Sequence, residues 1–280
     1  MRDYFTEEQK QLIIHLYVNE GRGQLYCAKA CGSTNVQKVK EVLREYNIPI
    51  RNFSQAATLS NKNRALHKKE DYFDIPSSNM AWILGFIASD GTVSSSDNTI
   101  KIGLSSVDRE ILEKIKAEIE IENKITDYTT KNGFEVSSIS WTSQHHKEIL
   151  SNYSITPNKT FTLKPPYKLP YKYWIDYIRG YFDGDGSVNL IHSNGKPYAS
   201  RWQICGATEE ILQWIVDFFF NEYNIPKVKI YCDKNHSKHN FYYFQYSTNS
   251  TKKIYNILYT LNSLYLNRKK KHFDEIIHVI

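Results

Sequence analysis

Two short segments place carboxylates where they could act as a pair. Ile83-Leu84-Gly85-Phe86-Ile87-Ala88-Ser89-Asp90-Gly91 and Ile178-Arg179-Gly180-Tyr181-Phe182-Asp183-Gly184-Asp185-Gly186 carry Gly, Asp and Gly at the same offsets. Each reads as an apolar helix closed by Asp-Gly, over 80–90 and 174–185. A glycine inside a helix costs about 1 kcal/mol relative to alanine, so Gly85 and Gly180 are explained most simply by two helix backbones in close approach. Gly91 and Gly186 suit the left-handed residue past a helix end. Asp90 and Asp185 then lie at negative helix ends, where a carboxylate is disfavoured by about 0.3–1 kcal/mol, and side-by-side helices add mutual repulsion. A divalent cation reverses both penalties. Oxygen ligation with open water positions is what Mg²⁺ prefers, and such an ion beside a phosphodiester activates water and stabilises the leaving oxygen.

A single Asp-Gly marks a turn, as in any hairpin. Two copies at matched positions of a repeat do not. A calcium loop is a weaker rival: Asp183 and Asp185 fit its first ligands, but Val188 stands where its Gly is required and Asn194 where its closing Glu belongs.

The elements around these segments recur in one order. After the first Asp-Gly come strands at 92–94 and 99–105, where Ile100, Ile102 and Leu104 alternate with Lys101, Gly103 and Ser105. After the second, strands are expected at 187–192 and 200–205. An amphipathic helix follows in each copy, marked by Ile111, Leu112, Ile115 and Ile119 and by Ile211, Leu212, Ile215, Val216 and Phe219. Strand pairs at 124–128 with 134–142, and at 227–231 with 241–247, precede last helices at 144–152 and 251–266. The order αββαββα, taken twice, predicts an α+β fold of two half-domains, 77–166 and 167–280, related by an approximate two-fold axis.

Ahead of the repeat, Thr6-Glu7-Glu8-Gln9 is a capping box that opens a helix with Leu12, Ile13, Leu16 and Tyr17, ended by Gly21 and Gly23. A short helix over 25–30, a turn at Gly32 and a third helix capped within Thr34-Asn35-Val36-Gln37 follow. Val36, Val39, Val42, Leu43 and Tyr46 form the buried face of that helix; Gln37, Lys38, Lys40 and Arg44 point outward. This is the layout of a helix-turn-helix module at 1–50, with a purely structural three-helix domain as the alternative. Residues 51–76 read as a basic linker: Arg51, Lys62, Arg64, Lys68 and Lys69 fall in 51–69 without an acidic residue.

Composition sets bounds on these readings. In 280 residues, 36 Lys+Arg against 30 Asp+Glu leave +6, which suits a polyanionic partner, and 41% hydrophobic residues exclude a disordered chain. Cys27, Cys31, Cys205 and Cys232 lack disulfide-framework spacing. With no apolar leader at Met1–Glu7 and no run near 18 apolar residues, the chain reads as cytoplasmic, associated with the nucleoid if bacterial or phage-encoded, without membrane contact. An organellar origin stays open. Its wealth of Asn, Ile, Lys and Tyr hints at an A·T-rich genome. Met1 and the closing His278-Val279-Ile280 lack the splice-junction residues of an intein.

Both Gly-Asp-Gly segments resemble the LAGLIDADG motif, and from about Ser77 onward the chain looks like a two-motif, monomeric LAGLIDADG homing endonuclease. The resemblance implies motif helices at the half-domain interface and a saddle of two four-stranded antiparallel sheets over the DNA major groove. It implies Mg²⁺-dependent hydrolysis of both strands at a long, rare, pseudo-palindromic site, with short 3′ overhangs. The metal-binding acids fall on Asp90 and Asp185, with Gly91 and Gly186 as further expected metal-site residues. The lysine that follows each half's last helix falls on Lys159, in Ile155-Thr156-Pro157-Asn158-Lys159-Thr160, and on Lys269, in Tyr265-Leu266-Asn267-Arg268-Lys269. A lysine there can stabilise phosphorane charge or polarise water; the plainer role is a phosphate contact. The first motif departs from the family name at Ala88-Ser89, which leaves open any role for Asp183.

In sheets with one buried face, Lys101, Arg201, Gln203, Lys227, Lys229 and Gln245 can project toward DNA, and Arg, Lys and Gln are able to read base edges. Arg51, Lys62 and Arg64 are further candidate DNA contacts. Cys232, His236 and His239 form an incomplete zinc set, as do Cys27, Cys31 and His15. His145-His146 has no flanking pattern of a histidine nuclease. Two other functions remain compatible with the residues: a non-catalytic DNA-binding regulator on the same fold, which predicts lost acids, and an intron RNA-splicing maturase.

Overall fold

The computed structural model describes residues 5–52, 54–56, 67–233, 241–259 and 263–279, and the chain divides into two compact units between Leu66 and His67. In the first unit the Thr6–Gln9 capping box forms in both directions and opens helix α1, Glu7–Ile14. A π-turn over His15–Asn19 carries the chain to α2, Gln24–Ala30, and then to α3, Val36–Glu45. Asn35 is the cap of α3, its side chain accepting from the backbone of Gln37 and Lys38 at 2.9 and 3.4 Å. Ile13, Leu16, Tyr17, Cys27, Ala28, Val39, Val42 and Leu43 form a separate small core.

The second unit begins at His67, ten residues before the expected boundary. Tyr72 and Phe73 are buried in its core, and Lys69 N–H bonds to Ile119 O at 2.8 Å. The end of the expected linker is therefore part of the first half-domain.

That half runs α4, Ser78–Asp90; β1, Gly91–Val93; β2, Thr99–Ser105; α5, Arg109–Glu118; β3, Thr126–Thr129; β4, Glu135–Thr142; and α6, Gln144–Ser151. The second runs α7, Trp174–Asp185; β5, Gly186–Ser193; β6, Lys196–Gly206; α8, Glu209–Tyr223; β7, Tyr231–Asp233; β8, Phe241–Ser247; α9, Thr248–Tyr259; and α10, Asn267–Val279. Each half has a four-stranded antiparallel sheet, ordered β1-β2-β4-β3 and β5-β6-β8-β7.

Strand alternation decides which face packs on helices. Ile100, Ile102, Ile139 and Trp141 in one sheet, and Val188, Trp202, Ile204, Phe244 and Tyr246 in the other, are buried. The registers put Thr92, Lys101 and Ser140 side by side on the opposite face of the first sheet. Ser187, Gln203 and Gln245 line up in the same way on the second.

The expected helix over 251–266 is shorter at its end: α9 covers Thr248–Tyr259, residues 263–266 are not helical, and a separate helix, α10, begins at Asn267. Arg179 donates to Leu258 O and Leu264 O at 3.2 and 3.0 Å, while Leu264 N–H and Leu266 N–H bond to Asn79 Oδ1 and Asp183 Oδ2. Those backbone groups are satisfied by tertiary partners, so no continuous helix can use them. The expected strand over 227–231 shrinks to its last residue and moves forward. Among the described residues no helix is long and apolar enough to cross a membrane.

Candidate active site

Helices α4 and α7 meet through their glycines. A Cβ on Gly85 would lie 2.1 Å from Tyr177 O and 2.9 Å from Tyr181 N; one on Gly180 would lie 2.0 Å from Trp82 O and 3.0 Å from Phe86 N. In both cases the contacts fall on the residues three before and one after the facing glycine. This reciprocity is what a two-fold axis between the helices requires. Gly184 adds a third close approach, since its Cβ would meet Ser89 Oγ at 1.9 Å and Asp90 Oδ2 at 2.9 Å.

Asp90 and Asp185 are the last residues of these helices and so end up together beside the axis. Gly91 and Gly186 are extended (φ −77°, ψ 158° and φ −94°, ψ 163°) rather than left-handed. The chain passes straight from helix into strand, and a Cβ would strike Ile87 O at 2.7 Å or the Phe182 ring at 2.0 Å. Close approach to the preceding helical turn, and no positive φ, is what demands glycine there.

Asp90 is exposed and Asp185 half-buried. Burial, with the Asp90 charge added, pushes the Asp185 carboxyl up to about 6. The protein packed around its carboxyl also raises Asp90 by desolvation although part of the residue faces solvent, against the pull of Lys269 and then Lys159. Two crowded like charges of this kind favour a cation between them.

The lysines take the carbonyls that the helix ends leave open. Lys159 Nζ donates to Gly91 O at 2.6 Å and Ser89 O at 3.3 Å. Lys269 Nζ donates to Phe182, Asp183 and Gly186 O at 2.8, 2.7 and 2.7 Å, and to Gly184 O at 3.3 Å. Each ammonium thus caps the negative end of its own half's motif helix. Burial lowers both lysine pKa values; Asp185 opposes this most at Lys159, and Asp183 then Asp90 at Lys269. The carbonyls of Gly91 and Gly186, expected as metal ligands, are engaged by these ammonium groups.

Residues 77–156 match the sequence profile of LAGLIDADG-like domains. An uncharacterised protein of Methanocaldococcus jannaschii is 24% identical over 213 residues, covering 70% of this chain and 71% of that protein. Among solved structures the chain is similar to the I-LtrWI LAGLIDADG homing endonuclease bound to target DNA, at 12% identity and TM-score 0.45, over 75% of this chain and 90% of that one. It is also similar to the LAGLIDADG meganuclease I-CpaMI bound to uncleaved DNA, at 14% identity and TM-score 0.46, over 73% and 92%.

The candidate sheet residues divide. Lys101 and Arg201 are exposed on the helix-free faces, where Gln203 and Gln245 form a registered pair. Lys101 Nζ lies 5.5 Å from the centre of the Tyr128 ring, and Lys229 Nζ lies 5.6 Å from that of Tyr231, which stacks on Tyr243. Lys227 departs from expectation: its ammonium pairs with Asp217 of α8 at 2.6 Å, on the helix side.

Gln37 and Arg44 are exposed on α3, with Lys38 and Lys40 partly so. Arg51 is not an outward contact. Its guanidinium covers the Tyr17 ring at 3.8 Å and donates to the carbonyls of Tyr17, Gly21 and Arg22, which closes the π-turn. Lys62, Arg64, His236 and His239 lie outside the described residues, and among the described residues no group of three His, Cys, Asp or Glu could hold a metal ion.

Sequence reasoning named Asp183 but missed what it does. It is buried, accepts from Trp82 Nε1 of the opposite motif helix at 2.8 Å, and is pushed up to about 6 by burial against the opposing Lys269. Its place between Gly180 and Asp185 gave no hint of a bond across the interface. The only available signal was the presence of an extra acid inside an apolar helix.

Proposed function

We propose that this chain is a site-specific double-stranded DNA endonuclease of the homing type that works as a monomer. Asp90 and Asp185 would hold a divalent cation, Mg²⁺ by preference, which when bound activates water and stabilises the leaving oxygen of a phosphodiester. One observation carries this reading: two carboxylates from matched helix ends come together at a pseudo-dyad, and each half carries a sheet with one polar, helix-free face. Two halves with one acid each suit the two antiparallel strands of a duplex. Lys159 and Lys269 keep cationic charge at the site, positioned to stabilise a charged phosphorane. Arg201, Gln203, Gln245, Lys101 and Lys229 offer groups for phosphates and base edges. The helical unit at the N-terminus, through Gln37, Lys38, Lys40 and Arg44, would extend the bound site. Short 3′ overhangs are the expected product.

The test is cleavage of a randomised plasmid library in Mg²⁺ with sequenced ends, by the wild-type chain and by Asp90→Asn and Asp185→Asn. Defined double-strand breaks from the wild type alone support the reading. Full activity in either variant removes the carboxylate-pair mechanism.

A further inference from the structure

Immediately before Lys269 the second half is clamped to the first. Arg268 lays Nε and Nη2 on both oxygens of Asp108, at 2.9, 3.1 and 2.8 Å, and Asn267 Nδ2 donates to Glu110 at 2.7 Å. Asp108 and Glu110 open α5 in the first half, while Asn267 and Arg268 open α10 in the second. Asp108 is only 6% exposed, so loss of Arg268 leaves a buried carboxylate without its partner. Leu266, one residue earlier, is tied to Asp183 and through it to Trp82 of α4.

The pseudo-symmetric contact is much weaker. Thr208, which precedes α8 as Asp108 precedes α5, gives only its hydroxyl, to Leu163 O at 3.0 Å. Asn158, which precedes Lys159 as Arg268 precedes Lys269, stands in the left-handed region at φ 60°. Both ammonium groups are held by carbonyls of their own halves; the difference is that an ion pair to the other half adjoins Lys269, while Asn158, at the matching place before Lys159, carries no charge to form one.

We propose that the Asp108–Arg268 pair is a positioning device for Lys269. On the reading of function given above, cutting of one strand then depends on the halves staying clamped while cutting of the other does not. A misplacement of about 1 Å in a catalytic group is worth roughly a hundredfold in rate, which is the loss expected for that one strand.

The experiment uses the full chain, with Arg268→Gln, Asp108→Asn, the double variant and Arg268→Lys. Labelling by an amine-selective acylating reagent, read by mass spectrometry, reports the exposure of Lys269 with Lys159 as internal control, and needs no DNA. Loss of the pair should raise Lys269 labelling, read as its ratio to Lys159, and leave Lys159 unchanged. The double variant should match the singles, and Arg268→Lys should fall between them and wild type.

Supercoiled plasmid carrying the randomised library then reads the strands in Mg²⁺. The variants should accumulate nicked circles in place of linear product. Equal change at both lysines, equal slowing of both strands, or no change overturns the proposal. If the wild type cuts nothing, the functional reading fails while labelling still decides the clamp.

Discussion

The two half-domains share element order, sheet topology and helix-end acids, yet they hold their lysines differently. In the first, Lys159 opens a 3₁₀ turn and reaches two carbonyls. In the second, Lys269 stands in the first turn of α10 and reaches four. The end point is the same, an ammonium beneath the end of a motif helix, but the backbone route is not. Capping a negative helix end is a requirement that several local structures can satisfy. Among the described residues the ion-paired bridge beside the lysine belongs to the second copy, and the matching contact in the first is a single hydroxyl bond.

The polar faces and cores diverge as well. The first sheet turns Thr92, Thr99, Ser140 and Thr142 outward around Lys101; the second turns out Arg201, Gln203, Gln245 and Tyr243. In the first core Trp141 Nε1 donates to buried His146 Nδ1 at 3.0 Å. At the matching place in the second, the Tyr246 hydroxyl is buried with no hydrogen-bond partner among the described residues. One duplicated frame has thus been finished in two ways.

The largest expected effect falls on what the halves share. Asp90→Asn or Asp185→Asn should abolish double-strand cleavage, by more than about a hundredfold if each acid places the ion that serves transition-state charge, with DNA binding retained in a filter or gel-shift assay. Unequal losses would show that the pseudo-dyad is functionally broken.

Next comes the shared interface. Gly85→Ala and Gly180→Ala each drive a methyl into a backbone carbonyl, and each should cost about 3 kcal/mol or more in denaturant unfolding. A cost below about 1 kcal/mol at either position would mean that the helices can separate freely.

The comparison sharpens at the lysines. Lys269→Met should lower thermal stability more than Lys159→Met, because it removes hydrogen bonds to four carbonyls against two, of which Phe182 O keeps the Gly186 N–H, at roughly 1–3 kcal/mol per group left without a donor before relaxation. The reverse order would refute the capping argument.

The smallest effects concern the two cores. Tyr246→Phe should be neutral or stabilise by up to about 1 kcal/mol, while His146→Ala should destabilise by about 2 kcal/mol. His146 Nδ1 accepts from Trp141, so Nε2 carries the hydrogen and donates to Lys69 O at 3.0 Å. Burial lowers its pKa. A lowered histidine contributes full stability above its unfolded value near 6.5 and loses it as pH falls from there toward the folded value. Urea midpoints measured across that interval should fall less for His146→Ala than for wild type.

Much of this arrangement was legible in residue order. Alternation at Ile100–Leu104 and the apolar stripes of α5 and α8 marked the strands and helices, because period 2 and period 3.6 are local properties of the chain. The matched Gly-Asp-Gly offsets anticipated the paired helices for a similar reason: a costly glycine at a fixed helical phase needs a close neighbour. Other features had no local signature. Thr251–Leu266 has helical spacing throughout, yet among the described residues Arg179, Asn79 and Asp183, distant in sequence, take backbone groups of Leu258, Leu264 and Leu266. Arg51 and Lys227 read as free cations until folding put carbonyls and Asp217 beside them. Composition and periodicity determined the elements and the pairing of Asp90 with Asp185. Tertiary structure alone decided which polar groups were satisfied and which faced outward, because hydrogen bonds between residues far apart in the chain depend on distances that spacing does not encode.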